Sequence, residues 1–138
     1  IWRPSIMASE LRVNTLKDAS GSNSVGMAYV AGGSSKAWVN FNATGTPAAR
    51  DSLNFSSITD NSAGDFTLNW SSSMANADYS ITGMTENFTI SATSNVILGV
   101  KNNTLPASSS VNLTTARAGS STTAEMAFNS ASIFGDLA

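Results

Sequence analysis

The 138-residue sequence contains neither cysteine nor histidine. Without cysteine there is no disulfide framework and no thiolate metal site. Without histidine, the usual general base, proton shuttle and zinc ligand are missing together. Charge is the next shortage: 12% of residues are charged, against about 25% in an ordinary soluble domain. Seven basic and nine acidic residues leave a net charge of −2, so no basic face is available for phosphate backbones and no nucleic-acid partner is expected. Apolar runs are short as well. None approaches the ~18 residues that span a bilayer, and the opening residues lack a signal-peptide pattern, so no membrane insertion is expected. Met7 reads as a natural start, with Ile1-Trp2-Arg3-Pro4-Ser5-Ile6 ahead of it.

What remains is rich in Ser, Thr and Asn, uncharged hydrogen-bonding residues that favour turns and strand faces over helix interiors. Hydrophobic residues make up 41% of the chain, too many for a disordered polymer. The length suits a single core that needs no cross-links. No internal repeat recurs at a fixed period.

Period-two alternation dominates the apolar pattern. In Lys36-Ala37-Trp38-Val39-Asn40-Phe41-Asn42, Ala37, Val39 and Phe41 fall on one face and Lys36, Trp38 and Asn40 on the other. In Asp65-Phe66-Thr67-Leu68-Asn69-Trp70, three apolar residues alternate with three polar ones. Leu53 and Phe55 alternate with Ser52, Asn54 and Ser56, which predicts one strand through that stretch. Further strands are expected at Tyr79/Ile81, Phe88/Ile90/Ala92, Val96–Val100, Val111/Leu113 and within Thr123–Phe134, the last with no clear face assignment. Turn signals separate these runs at Gly32-Gly33, Gly45-Thr46-Pro47, Asp60–Gly64, Leu105-Pro106 and Ala118-Gly119. Ser57–Trp70 reads as one hairpin closed at Asp60–Gly64. The expected fold is all-β: an antiparallel β-sandwich or barrel-like domain over residues 36–138, preceded by an extended N-terminal arm over residues 1–35 that serves for docking. Within the arm, Leu11–Leu16 reads as extended or briefly helical and Asp18–Ser24 as a loop.

Candidate chemistry is thin. Asp60 and Asp65 flank one turn, and a glycosidase needs two carboxyls held across a cleft, but a turn aspartate bonding to nearby backbone is the simpler reading of Asp60. Calcium needs six or more oxygens, and no such set stands out. Ser34 and Ser35 precede Lys36, a pairing on paper for a Ser–Lys nucleophile, yet neighbours on a strand point to opposite faces. No G-x-S-x-G elbow is present. No catalytic residue, metal ligand or cofactor is therefore assigned, and no enzymatic activity is expected. Asn-x-Ser/Thr sequons at Asn42, Asn54, Asn69, Asn87, Asn102 and Asn112 are expected by chance at this composition. Among the aromatics, Trp70 shares a face with Phe66 and Leu68 and belongs to the core. Trp38 alone sits on a polar face, which marks it for a subunit interface or a glycan contact.

Two stretches carry a resemblance. One is Ser9-Glu10-Leu11-Arg12-Val13-Asn14-Thr15-Leu16-Lys17-Asp18. The other runs from Lys36-Ala37-Trp38-Val39-Asn40-Phe41-Asn42 through Gly45-Thr46 and Arg50–Asn61 to Gly64-Asp65-Phe66-Thr67-Leu68-Asn69-Trp70. Together they span 45 of the 138 residues, about a third of the chain, and resemble the tail-fibre and virion structural proteins of marine bacteriophages. The resemblance implies a virion subunit, commonly a homotrimer, on the tail or capsid surface, whose partners are its own copies, other virion proteins and a host-surface glycan. It transfers no binding residue, and beyond about Gly83 it does not extend. A capsid-decoration or head-fibre protein and a carbohydrate-binding module are the alternatives.

Overall fold

A computed structural model describes residues 11–86 and 95–138, so the expected strand at Phe88/Ile90/Ala92 lies outside the described residues. The chain divides into two compact units, Ile1–Gly32 and Gly33–Ala138.

In the first unit, β1 (Thr15–Lys17) pairs antiparallel with β2 (Ser24–Gly26), and a short helix, α1 (Met27–Gly33), follows directly. Asp18 organises the intervening turn: its carboxylate accepts from Ser20 Oγ at 2.9 Å, Ser22 N at 3.0 Å and Asn23 Nδ2 at 2.6 Å. Hydrogen bonds from Asn23 and Ser20 hold that carboxyl below its ordinary range. The expected loop is present, but the flanking strands are a finding. At three residues each, they are too short to show alternation in sequence.

The second unit is an all-β sandwich of two four-stranded antiparallel sheets. Its strands are β3 (Ala37–Asn42), β4 (Ala48–Leu53), β5 (Phe55–Ser62), β6 (Asp65–Trp70), β7 (Ser80–Thr85), β8 (Val96–Val100), β9 (Ser110–Arg117) and β10 (Asn129–Phe134). One sheet has the order β4-β3-β10-β7 and the other β5-β6-β9-β8. The period-two segments supply the core as their pattern requires. Ala37, Val39 and Phe41 of β3 and Ala131 and Ile133 of β10 face Phe66, Leu68 and Trp70 of β6 and Val111 and Leu113 of β9. Phe41 and Phe66 meet edge to face between the sheets, with centroids 4.9 Å apart at 76°, a geometry worth about 0.5–1.5 kcal/mol beyond its burial.

The Leu53–Phe55 stretch departs from expectation. Asn54 takes a left-handed conformation, φ 51°, and the chain turns a corner there. Leu53 ends β4 in one sheet and Phe55 begins β5 in the other. The corner is tied by Asn54, whose Oδ1 accepts from Ser72 N at 2.7 Å and whose Nδ2 donates to Ser72 O at 3.0 Å. Asn tolerates αL better than most residues, which alternation alone does not reveal.

The expected hairpin of Ser57–Trp70 is present as β5 and β6. Its turn is closed by Ala63-Gly64, and Asn61, rather than Asp60, reaches across it: Asn61 Nδ2 donates to Asp65 Oδ1 at 3.2 Å and to Thr67 Oγ1 at 3.0 Å. Strand β10 resolves the face left open in sequence. Asn129, Ala131 and Ile133 point inward, and the buried Asn129 is satisfied by Thr85 Oγ1 at 2.8 Å and Met126 O at 2.8 Å.

Candidate interaction surface

Sheet register turns the outward positions into rows. Residues directly opposed on neighbouring strands share a face. On the outside of the β4-β3-β10-β7 sheet, one row reads Thr82, Ser132, Trp38, Leu53, and the next reads Met84, Ser130, Asn40, Asp51. Trp38 is half-buried in the first row, flanked by Leu53 on one side and Ser132 on the other. Leu53 is 49% exposed and Met84 71%. Trp38 and Leu53 form an apolar pair, with Met84 apart from them on β7, on a face that also carries hydroxyls, amides, Asp51 and Arg50.

The alternation of Lys36–Asn42 places Trp38 outward, as the sequence indicated. Leu53 was not legible there, because it meets Trp38 through a strand pairing 15 residues apart in sequence. The charge on this face is local. Arg50 is the extra residue of a β-bulge between Ala49 and Asp51. Its Nη1 donates to Asn40 Oδ1 at 3.3 Å and its Nη2 to Ala127 O at 2.6 Å. Arg50 and Asp51 therefore sit side by side on the outer face, where strict alternation would have separated them.

The other sheet presents a different exterior. Ser57, Asn69 and Ser110 form one row, and Thr59, Thr67 and Asn112 the next. Asn69 Nδ2 bridges to Ser57 O at 3.3 Å, Ser57 Oγ at 3.2 Å and Thr59 Oγ1 at 3.2 Å. Asp65 closes this lattice at one end. It is 7% exposed and ion-pairs with Lys101, which follows β8. Burial pushes its carboxyl upward, but hydrogen bonds from Lys101, Asn61 and Asn112 and the charge of Lys101 outweigh it, so the net shift is downward. Around Asn69 and Asp65 the polar side chains of this face are bonded to one another. This face exposes Ile97, 56%, opposite Ala116 on β9, whereas the other sheet sets Trp38 directly beside Leu53.

The remaining sequence candidates are placed as follows. Asp60 lies opposite Phe66, whose side chain points to the core, while Asp65 lies opposite Thr114 on the outer face. The two carboxylates are on opposite sides of the hairpin and do not flank a common cleft. Lys36 Nζ donates to Ser34 O and Ser34 Oγ, each at 2.9 Å, at an exposed position. Ser35 instead donates to Ala37 O at 2.8 Å and Ile133 O at 3.2 Å. The lysine thus meets Ser34 and not Ser35, and acts as a donor to it. Trp70 is 6% exposed and belongs to the core. Among the described residues no three of Asp and Glu gather as a metal site, and no helix is long and apolar enough to cross a membrane. The chain matches no protein-family model, no curated protein and no solved structure.

Proposed function

We propose that this protein is a non-enzymatic structural subunit of a bacteriophage particle, part of or close to the tail fibre, that assembles with copies of itself. The observation that carries the reading is the outer face of the β4-β3-β10-β7 sheet, where half-buried Trp38 lies directly opposite exposed Leu53, with Met84 exposed on the far strand β7, on a surface made mostly of Ser, Thr and Asn beside Arg50 and Asp51. Apolar side chains grouped on a polar face are stabilised by a partner that removes them from water. The composition supports the same reading. A histidine- and cysteine-free, weakly charged β-sandwich offers rigid surface and little acid–base chemistry. Function then lies in assembly: the sandwich supplies the outer body and residues 1–35 the docking arm.

Gold-labelled antibody against the purified chain, applied to intact particles of the phage that encodes it, tests the proposal. Label on the tail supports a fibre subunit, and label on the head identifies a decoration protein instead. Unlabelled particles, with glycan-array binding that is lost in Trp38→Ala, would identify a carbohydrate-binding module in place of a virion subunit.

A further inference from the structure

Strand β4 is an edge. It pairs with β3 on one side, and no described strand lies on the other. All of its residues except Ser52 are exposed. An open edge is a template for another strand, and the charges and bulge of β4 restrict it to a strand that matches them.

The bulge at Arg50 gives β4 an unusual order of faces. Ala48 is opposite Asn42 and points outward, while Ala49 is opposite Phe41 and points inward. Arg50 and Asp51 both lie on the outer face, Ser52 is opposite Val39 and points inward, and Leu53 is opposite Trp38 and points outward. Read from either end, the order is the same: out, in, out, out, in, out. An antiparallel copy of β4 placed about a two-fold axis between Arg50 and Asp51 therefore matches every face, setting Arg50 against Asp51, Ala49 against Ser52 and Ala48 against Leu53. Shifting the axis by half a residue onto Arg50 or Asp51 opposes like charges and puts inward residues against outward ones, which register does not tolerate. The favoured register sets Arg50 opposite the partner's Asp51 twice by symmetry, where the guanidinium would exchange its bonds to Asn40 Oδ1 and Ala127 O for the partner's carboxylate, and covers the small Ala48 with an exposed Leu53.

We infer that β4 pairs with β4 of a second copy across this axis, joining the two β4-β3-β10-β7 sheets into one of eight strands. Strand β5, the edge of the other sheet on the same side of the chain order, has no such fit. It is interrupted by two register shifts, and its single charge, Asp60, has no basic residue within the strand to meet. A two-fold contact of this kind closes on itself and gives a dimer, not the trimer implied by the resemblance. The inference rests on the reading that the chain assembles with itself.

Light scattering during size exclusion, on the full chain at about 100 µM, tests it, a range that detects even weak self-association. The wild type is expected at twice the 14.2 kDa chain mass. Arg50→Asp and Asp51→Arg each place like charges in register and should weaken dimerisation about tenfold or more, while the double swap Arg50→Asp/Asp51→Arg restores the opposite pairing and the mass. Circular dichroism melts of each variant establish that the fold is kept. A monomeric wild type overturns the inference, as do single variants that keep the wild-type mass or a folded double swap that stays monomeric. A three-subunit mass indifferent to all the swaps also overturns it, yet leaves the virion reading intact, since that stands or falls on particle labelling.

Discussion

Two glycines with the same backbone conformation provide a quantitative test of how the hairpin is built. Gly64 has φ +68° and Gly45 has φ +66°. Replacing either with alanine forces an L-residue into the left-handed region, at about 1 kcal/mol. The surroundings differ sharply. A Cβ on Gly45 would meet nothing within 4 Å, whereas one on Gly64 would lie 2.8 Å from Ala124 N, 2.9 Å from Ala124 O and 2.9 Å from Thr115 O. All three are backbone atoms, held by the Ala124 N to Thr115 O bond at 3.0 Å and the Thr115 N to Gly64 O bond at 2.9 Å. They cannot rotate aside as a side chain would, so the overlap adds about 1–3 kcal/mol of strain. Gly45→Ala is therefore expected to cost about 1 kcal/mol and Gly64→Ala about 2–4 kcal/mol. At about 4 °C per kcal/mol for a domain of this size, the melting temperatures fall by about 4 °C and about 8–16 °C respectively. Urea unfolding followed by both circular dichroism and tryptophan fluorescence gives the free energies and checks two-state behaviour. Equal losses in the two variants would refute the close packing of Gly64 against the 115–124 backbone.

Three further outcomes follow from the same structure. Asp65 is held below the ordinary carboxylate range, so unfolding takes up a proton, and wild-type stability should fall as pH drops below about 4 and through the lower folded value. Asp65→Asn should flatten that acid limb and cost about 1 kcal/mol at pH 7, a modest figure because the Lys101 side chain is 41% exposed; urea titrations across pH 2–7 read both (range about the carboxylate values). Burial raises the Tyr79 hydroxyl, which donates to Ala107 O and Ser110 O, both at 2.9 Å. Wild-type stability should therefore be lost as pH rises above about 10, and Tyr79→Phe should remove that alkaline limb while costing about 1–2 kcal/mol at neutral pH. Trp38→Ser, on the outer face, should leave the melting temperature of a dilute monomer within about 4 °C of wild type but reduce incorporation into particles, measured by immunoblot of gradient-purified virions.

The sequence was most legible where one face of a strand is buried and the other is not. Residues 36–42 and 65–70 alternate because Ala37, Val39, Phe41, Phe66, Leu68 and Trp70 fill the space between the sheets, and period two is the direct imprint of that burial. It failed at Leu53-Asn54-Phe55, where alternation runs unbroken across a corner and the deciding fact is one left-handed asparagine. It was mute at β10, where the inward residues include a buried Asn129 whose partners, Thr85 and Met126, are set by the tertiary fold. The candidate surface was half legible. Trp38 could be placed outward from its own strand, but its neighbour could not, since Leu53 meets it only through cross-strand register. The Asp65–Lys101 pair was invisible for the same reason: 36 residues separate its members, and no local pattern couples them. The face order of β4 depends on a bulge, an irregularity that simple alternation cannot express.

The proposed role makes the chain a component of a phage particle. Mass spectrometry of density-gradient-purified particles tests it most directly, by quantifying peptides of this chain relative to those of the major capsid protein through successive gradients. For a built-in subunit the ratio is expected to stay constant on repurification. A ratio that falls toward zero, with the chain recovered in the soluble fraction, would contradict it.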